Sequence, residues 1–142
     1  MTLSPVSTTT YENVLDLLVR ANLPVQDIGE HTELFELKAD SELIGTIGLE
    51  HNGTVGLLRS LGVQEGSRGK GYGEQLVNFL EETAKERGIE TLYLLTTTAA
   101  AFFSKRGYQV IGREAVPLFV QQTTEFSSVC PSSATIMKKQ LV

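Results

Sequence analysis

Two stretches of the chain repeat apolar residues with the period of an amphipathic helix. TTYENVLDLLVRANLP carries the first pattern, which runs from Ser7 or Thr8 until Pro24 stops it, and YGEQLVNFLEETAKERGI carries the second. The apolar stripes are Val14, Leu15, Leu18 and Ala21 in the first stretch, and Leu76, Val77, Leu80 and Ala84 in the second. Gly88 follows the second stripe as a residue typical of a helix C-terminus. Both stretches are predicted to be helices that pack one face on a core.

Shorter stretches have the pattern of strands. LFELKAD, LIGTIGLE and VGLLRSLGV follow one another, and Asn52-Gly53 between the last two is a strong hairpin signal, which predicts an antiparallel meander. TLYLLTT follows the second helix and reads as a buried strand, so we expect it to run parallel to VGLLRSLGV. A short helix in AAAFFSKRGY, a strand at QVIG, another helix, an irregular piece near Pro131 and a closing strand complete the prediction. VQDIGEHT is ambiguous and could form one or two helical turns.

The amino-acid composition is that of a globular protein. The 142 residues, 41% hydrophobic and 20% charged, predict one globular domain over 1–142. No apolar run has the roughly 18 residues of a membrane helix, and the N-terminus lacks the features of a signal peptide, so we expect a cytoplasmic protein without a membrane partner. The net charge of −5 argues against nucleic acid as a partner. Cys130 is the single cysteine, which excludes a multi-cysteine metal site, and no metal is expected.

The stretch SLGVQEGSRGKGYGEQL is where chemistry is expected. It places five glycines between a strand and a helix, so that backbone N–H groups at the helix N-terminus face solvent with the helix dipole behind them. Arg68 and Lys70 add positive charge, and glycine lets a phosphate approach the backbone closely. The pattern predicts an anion site, with a solvated basic turn as the alternative.

The same residues resemble a known family. Arg68-Gly69-Lys70-Gly71-Tyr72-Gly73 is similar to the Arg/Gln-x-x-Gly-x-Gly/Ala signature of the GNAT acetyltransferases, and LYLLTT and AAAFFSKRGYQV are similar to the segments that follow it there. The resemblance implies an α+β fold with a mixed, mostly antiparallel twisted sheet, flanked by helices and splayed at its central strands. It also implies acetyl-CoA as the acetyl donor.

Site residues follow from the resemblance position by position. Leu61 and Val63 would bond the pantetheine through their main chains, and residues 68–73 would hold the pyrophosphate. Thr97, Phe103 and Arg106 would lie along the cofactor arm.

The C-terminal half of the chain resembles particular groups within this family. LLRSLGV, LYLLTTTAAAFFSKRGY and EFSSVCPSSATIMKK are similar to small GNAT proteins of arsenic-resistance operons and, more distantly, to the acetyltransferase domain of N-acetylglutamate synthase. These relatives imply a small amino acid or amino-acid-like amine as acceptor. A noncatalytic acyl-CoA sensor and an acetyltransferase of protein amines stay open as alternatives. A closing strand shared between two copies could form a homodimer.

Two catalytic side chains that are common in the family are absent from this sequence. TVGLLRSLGV has no carboxylate to serve as the base, and Phe103 stands where a tyrosine often protonates the leaving thiolate. Glu50, at the end of LIGTIGLE, is the candidate base, with a solvated strand-end charge as the alternative, and His51 is a weaker candidate in the turn. Cys130 has no histidine pattern to make it a nucleophile and is expected to be a packing or incidental surface residue.

Arg59 is an unusual residue in an apolar strand. If side chains alternate along this strand, Arg59 shares a face with Leu57, Leu61 and Val63. An arginine on a partly buried face needs a partner, and a carboxylate suits it best. The partner could be the carboxylate of the acceptor or a carboxylate of the chain itself.

Overall fold

The fold is a seven-stranded sheet flanked by helices, seen in a computed structural model that describes residues 1–123, 126 and 133–142. The strand order is β1-β2-β3-β4-β5-β7-β6, and every neighbouring pair is antiparallel except β4 and β5. The strands are β1 Thr2–Pro5, β2 Glu33–Ala39, β3 Glu42–Asn52, β4 Val55–Val63, β5 Thr91–Thr96, β6 Gln109–Ile111 and β7 Thr135–Gln140; the helices are α1 Tyr11–Arg20, α2 Tyr72–Glu86, α3 Ala100–Ser104 and α4 Leu118–Gln121. Short 3-10 turns occupy Glu65–Ser67 and Arg113–Ala115.

The sequence pattern predicted most of this order. The meander β2-β3-β4, the hairpin at Gly53 (φ +60°), the parallel pairing of β4 with β5 and the closing strand β7 are all confirmed. Strand β1 was not predicted, because four residues ending in proline are too short to show an alternation.

Helix α2 covers one face of the sheet. Its Leu76, Val77 and Leu80 are completely buried, each contributing roughly 1.5–3 kcal/mol of hydrophobic stabilisation. Gly88 ends it as expected, with φ +79°, and the N–H of Ile89 donates to the carbonyl of Ala84 at 3.0 Å. Helices α1 and α4 pack on the opposite face, where separate apolar clusters form around Leu18 and Val120.

One predicted helix boundary was wrong, and the stretch whose pattern was ambiguous forms turns. Helix α1 begins at Tyr11 and not at Ser7 or Thr8, since the hydroxyl of Ser7 bonds those of Thr9 and Thr10 and holds a turn there. Residues 25–32 contain turns and no helix, with N–H bonds from Ile28 to Val25 and from Thr32 to Gly29. Pro131 and Cys130, which the sequence singled out, lie outside the described residues.

A β-bulge in β4 changes which side chains share a face. Gly48 pairs with Arg59 and Thr46 with Gly62, so Ser60 and Leu61 together oppose the single residue between Thr46 and Gly48. Ser60 has φ +58°, in the left-handed region that residues other than glycine seldom occupy.

The expected alternation along β4 is therefore wrong beyond Arg59. Leu61 and Val63 pack with Leu58 in the α2 cluster, whereas Leu57 belongs to the α4 cluster on the other face. Because strand neighbours alternate, Arg59 shares the face of Leu57. The extra bulged residue sends Leu61 and Val63 to the opposite face.

Strands β4 and β5 pair only at their beginnings. Their ladder runs from Val55↔Thr91 to Leu57↔Tyr93, while β4 continues to Val63 and β5 continues to Thr96 against β7. The splay expected from the family resemblance is present, and it opens a cleft in the middle of the sheet.

Candidate active site

The cleft between β4 and β5 is a cavity of about 260 Å³. Ser60 and Leu61 line one side, Leu94 and Thr97 the other, and Phe103 of α3 also lines it. The remaining lining residues are Ala21, Asn22, Leu23, Pro24, Leu58, Arg59, Leu95, Thr96, Thr98 and Ala99. Two of the predicted cofactor-arm residues, Thr97 and Phe103, therefore meet at one cavity.

The main chain of β4 directs donors toward this cleft. The N–H of Gln64 donates to the carbonyl of Ile44 in β3 at 2.8 Å. Because N–H groups alternate in direction along a strand, those of Leu61 and Val63 point away from β3, toward the side where β5 has separated. The carbonyl of Val63 also points to that side and accepts a bond from Nε of Arg68 at 3.1 Å, which ties the glycine loop to the strand.

The glycine loop has the backbone of an anion site. Gly69 and Gly71 have φ of +80° and +84°, and a Cβ atom placed on either would meet no atom within 4 Å. Gly71 is the N-cap of the 15-residue helix α2, whose first amides have no partner within the helix. Arg68 and Lys70 are exposed beside it. An open, positively charged helix N-terminus of this kind fits a phosphate or pyrophosphate group.

Arg106 links helix α3 to the start of α2. Its guanidinium lies 3.8 Å from the ring centroid of Phe102, and it donates to the carbonyl of Phe102 at 2.8 Å and to Glu74 at 3.3 Å. A Cβ atom on Gly73 would lie 3.3 Å from the Phe102 ring, so this glycine permits the close contact of α2 with α3. The predicted cofactor-arm position of Arg106 thus lies beside the loop, with its guanidinium already in contact with Phe102 and Glu74.

Three charged side chains meet on the other side of β4. Arg59 bonds Asp27 through two parallel contacts, Nη1 to Oδ2 at 2.5 Å and Nη2 to Oδ1 at 2.7 Å. Its Nη1 also donates to Oε2 of Glu50 at 2.8 Å, and that oxygen accepts a second bond from the hydroxyl of Thr32 at 3.0 Å. The exposed fractions of the three side chains are 0% for Arg59, 2% for Asp27 and 12% for Glu50. We call Arg59, Asp27 and Glu50 the triad.

The triad joins two residues that the sequence had singled out separately. Of the two kinds of partner considered for Arg59, a carboxylate of the chain is present. Among the described residues, Glu50 and Asp27 are both such partners, so Glu50 is not a solvated strand end. Asp27 was missed, because it lies 32 residues before Arg59 in a stretch whose pattern was ambiguous. The triad contains two carboxylates and one guanidinium, so it carries one net negative charge when all three are ionised.

A second cleft, of about 500 Å³, lies beyond the triad. Asp27 and Glu50 line it together with Glu30, Glu33 and His51, and no lysine or arginine is found among its described lining residues. His51 lies in β3, opposite Gly56, and not in the turn as predicted. Such a surface attracts cations, including the ammonium group of an amine.

Another buried polar cluster lies behind Phe103. The Tyr108 hydroxyl donates to Glu81 at 2.9 Å, Nζ of Lys139 donates to both oxygens of Glu81 at 3.0 and 3.1 Å, and the Tyr108 ring is 5.4 Å from that of Phe103. Burial and the charge of Glu81 raise the pKa of Tyr108 far above its usual range. The phenol stays protonated and supports the wall of the cavity.

The chain matches a known protein family over most of its length. A family model described as "Acetyltransferase (GNAT) family" matches residues 7–108. The chain belongs to the GNAT acetyltransferase family. In the part of the chain that the structure describes, no cluster of metal-binding side chains is found and no helix is long and apolar enough to cross a bilayer.

The known proteins to which this chain is similar carry names that state different acceptors. An amino-acid acetyltransferase of Azotobacter vinelandii is 39% identical over 63 residues, which are 44% of this chain and 15% of that protein. The chain is similar in fold to N-acetylglutamate synthase from Neisseria gonorrhoeae complexed with coenzyme A and L-arginine, with a TM-score of 0.80, 18% identity, and coverage of 98% of this chain and 32% of the other. It is also similar to the ribosomal-protein-S18-alanine N-acetyltransferase from Escherichia coli, with a TM-score of 0.76, 18% identity, and coverage of 99% and 93%. The shared fold leaves the acceptor open.

Proposed function

We propose that this GNAT protein transfers an acetyl group from acetyl-CoA to the amine of a small amino acid or amino-acid-like compound. The observation that carries the proposal is the position of the triad: Arg59 lines the cleft between β4 and β5, while its partners Asp27 and Glu50 line the acidic cleft beyond. A donor in the first cleft and an amine in the second would meet at the triad.

Main-chain groups would make most of the contacts with acetyl-CoA, the acetyl donor. The N–H groups of Leu61 and Val63 would bond the pantetheine, and the loop at residues 68–73 would hold the pyrophosphate against the N-terminus of α2. Thr97 and Phe103 would line the arm, and Arg106 would keep α3 in place beside it. Acetyl-CoA supplies the reactive thioester, and the N–H of Leu61, in the bulge, would stabilise negative charge on the carbonyl oxygen.

Glu50 is the proposed base. An amine must lose a proton when it forms an amide, and a carboxylate at the rim of the acceptor cleft can accept that proton directly or through water. The bonds from Arg59 and Thr32 both fall on Oε2, which orients the carboxylate and leaves Oε1 to accept the proton. The ion pair with Arg59 therefore acts as a positioning contact for Glu50.

Arg59 is also the proposed anchor for an acceptor carboxylate. The guanidinium already holds a carboxylate in bidentate geometry, that of Asp27, and Asp27 lies in the loop of residues 25–32, outside any helix or strand. An acceptor carboxylate could exchange with Asp27 while Glu50 keeps its bond. The amino-acid acetyltransferase and N-acetylglutamate synthase among the relatives support an amino-acid acceptor.

The test is a thiol-release assay with acetyl-CoA and paired acceptors. Each amino acid is compared with its own C-terminal amide, alongside simple diamines and an alanine-terminated peptide. Acceptor-dependent release of CoA is expected, with kcat/KM at least about tenfold higher for one free amino acid than for its amide, since a carboxylate bound to arginine contributes roughly 1.5–3 kcal/mol. Tight CoA binding without release on any amine would favour the acyl-CoA sensor, and a preference for the peptide would favour a protein acetyltransferase.

Glu50→Gln is the matched variant for this assay. Glutamine keeps an oxygen for Arg59 and Thr32 but cannot accept the amine proton, so kcat is expected to fall by about 100-fold with little change in the KM for acetyl-CoA. Glu42→Gln removes an exposed carboxylate at the other end of β3, outside both clefts, and is expected to retain activity. Equal activity of Glu50→Gln and the unmodified chain would remove Glu50 from the mechanism.

A further inference from the structure

We propose that the hydroxyl of Ser60 donates a hydrogen bond to the sulfur of the acetyl donor as the thiolate leaves. The inference rests on the proposed function, because it assigns a residue to the leaving-group end of that reaction. It answers the question raised by Phe103, which lines the same cavity but has no hydroxyl to offer.

The bulge gives Ser60 its position. Its backbone adopts φ +58°, and the residue lines the cleft between β4 and β5 with only 8% of its surface exposed. Strain of this kind in a residue other than glycine persists only where the surrounding structure holds it, and such residues cluster at functional sites. In β4 the bulge is fixed by the ladder with β3 on both sides.

The direction of the Arg59 bond decides what the hydroxyl can do. Nε of Arg59 lies 3.1 Å from Oγ of Ser60, and a guanidinium can only donate, so Ser60 accepts in this contact. The hydroxyl therefore keeps its own hydrogen for a second group. The adjacent positive charge makes that hydrogen a stronger donor to an anion.

The other hydroxyls of the cavity are placed differently. Thr96 accepts a bond from the N–H of Ala99 at 2.9 Å, at the start of α3, and Thr97 and Thr98 are exposed. Among the described residues that line the cavity, Ser60 is the one buried side-chain hydroxyl. A donor aimed at developing charge is most effective where water is excluded.

The thiolate forms when the amine attacks the thioester. The amine nitrogen forms a bond to the carbonyl carbon, its proton passes to Glu50, and the carbon–sulfur bond breaks with both electrons going to sulfur. The Ser60 hydroxyl stabilises this thiolate by a hydrogen bond and keeps its own proton. Solvent then protonates the sulfur to give free CoA.

Binding of the product tests the hydrogen bond without turnover. Titration calorimetry would compare CoA with desulfo-CoA, which lacks the sulfur, at pH 7 and at pH 9, where more of the thiol is ionised. In the unmodified chain the affinity ratio of CoA to desulfo-CoA should rise between these pH values by up to about tenfold, as expected for a hydrogen bond to a charged group. Ser60→Ala should remove most of that rise and leave desulfo-CoA binding unchanged.

Two further variants separate this role from a structural one. Ser60→Gly also lacks the hydroxyl but suits a positive φ, so it should behave as Ser60→Ala does even if alanine perturbs the bulge. Thr98→Val removes an exposed hydroxyl from the same cavity and should keep the rise. A rise that persists in both Ser60 variants would overturn the proposal.

Turnover gives a second readout. Ser60→Ala should lower kcat by roughly 10- to 100-fold with the KM for acetyl-CoA retained, and adding Phe103→Tyr should restore part of the loss by supplying a phenol in the same cavity. Loss of kcat without rescue, together with an unchanged pH effect on CoA binding, would mean that Ser60 only supports Arg59. If the unmodified chain releases no thiol with any amine, the proposed function fails and the Ser60 proposal fails with it.

Discussion

The two sides of strand β4 are built in different ways. On the α2 side, the main-chain amides and left-handed glycines of the proposed cofactor site lie within one stretch, from Leu61 to Gly73. On the other side, the triad takes one side chain each from a loop, from β3 and from β4, and Asp27 precedes Arg59 by 32 positions. A site made of local backbone tolerates many surface changes but depends on a few glycines, whereas a site made of buried charges depends on every member.

Removing the charge of Arg59 should have the largest effect on stability. It tests whether the triad depends on each of its buried charges. Arg59→Met would leave Asp27 and Glu50 close together without their cation, and breaking a buried ion pair from one side costs about 3–5 kcal/mol. The free energy of unfolding, measured in urea at neutral pH, should fall by that amount. The same substitution at Arg87, whose partner Glu33 is exposed, should cost under about 1 kcal/mol. Equal losses in the two variants would show that the triad is no more dependent on its charges than the surface.

The glycine loop should show the opposite behaviour, with a smaller effect that falls on the cofactor. Gly71→Val places a β-branched residue at φ +84°, so the loop must move although a side chain there meets no atom within 4 Å. We expect the KM for acetyl-CoA to rise by tenfold or more, with unfolding in urea changed by about 1–2 kcal/mol at most. Gly66→Val, in the same loop but without a positive φ, should leave both values unchanged. A matching rise in KM for both variants would mean that loop bulk, and not the backbone at Gly71, controls binding.

The contrast between a local site and one assembled from distant residues also explains which features the sequence could predict. The glycine loop, α2 and the pairing of β4 with β5 follow from patterns within short stretches, so periodicity and turn chemistry were enough. The bulge at Ser60 leaves no such signal, since the apolar and polar order of LLRSLGV fits an unbroken strand equally well. Asp27 could not be assigned to Arg59, because its position depends on how residues 25–32 fold over the sheet. A lone arginine in an apolar strand does predict a buried carboxylate, but it cannot say which one.

The smallest expected effect is at Tyr108, whose polar cluster lies behind Phe103 and lines neither cleft itself. Because burial and Glu81 raise its pKa above the ordinary 10.0, the folded chain keeps the phenol proton at pH values where the unfolded chain loses it. Stability therefore falls as the pH rises above 10, by up to about 1.4 kcal/mol per pH unit from this group. Tyr108→Phe should remove the contribution of Tyr108, so that the free energy of unfolding in urea falls less steeply between pH 10 and 12. Tyr93, whose pKa is also raised by burial, still contributes to the remaining fall. An unchanged slope would indicate that the Tyr108–Glu81 contact opens before the chain unfolds, and that the wall behind Phe103 is less rigid than the triad across the strand.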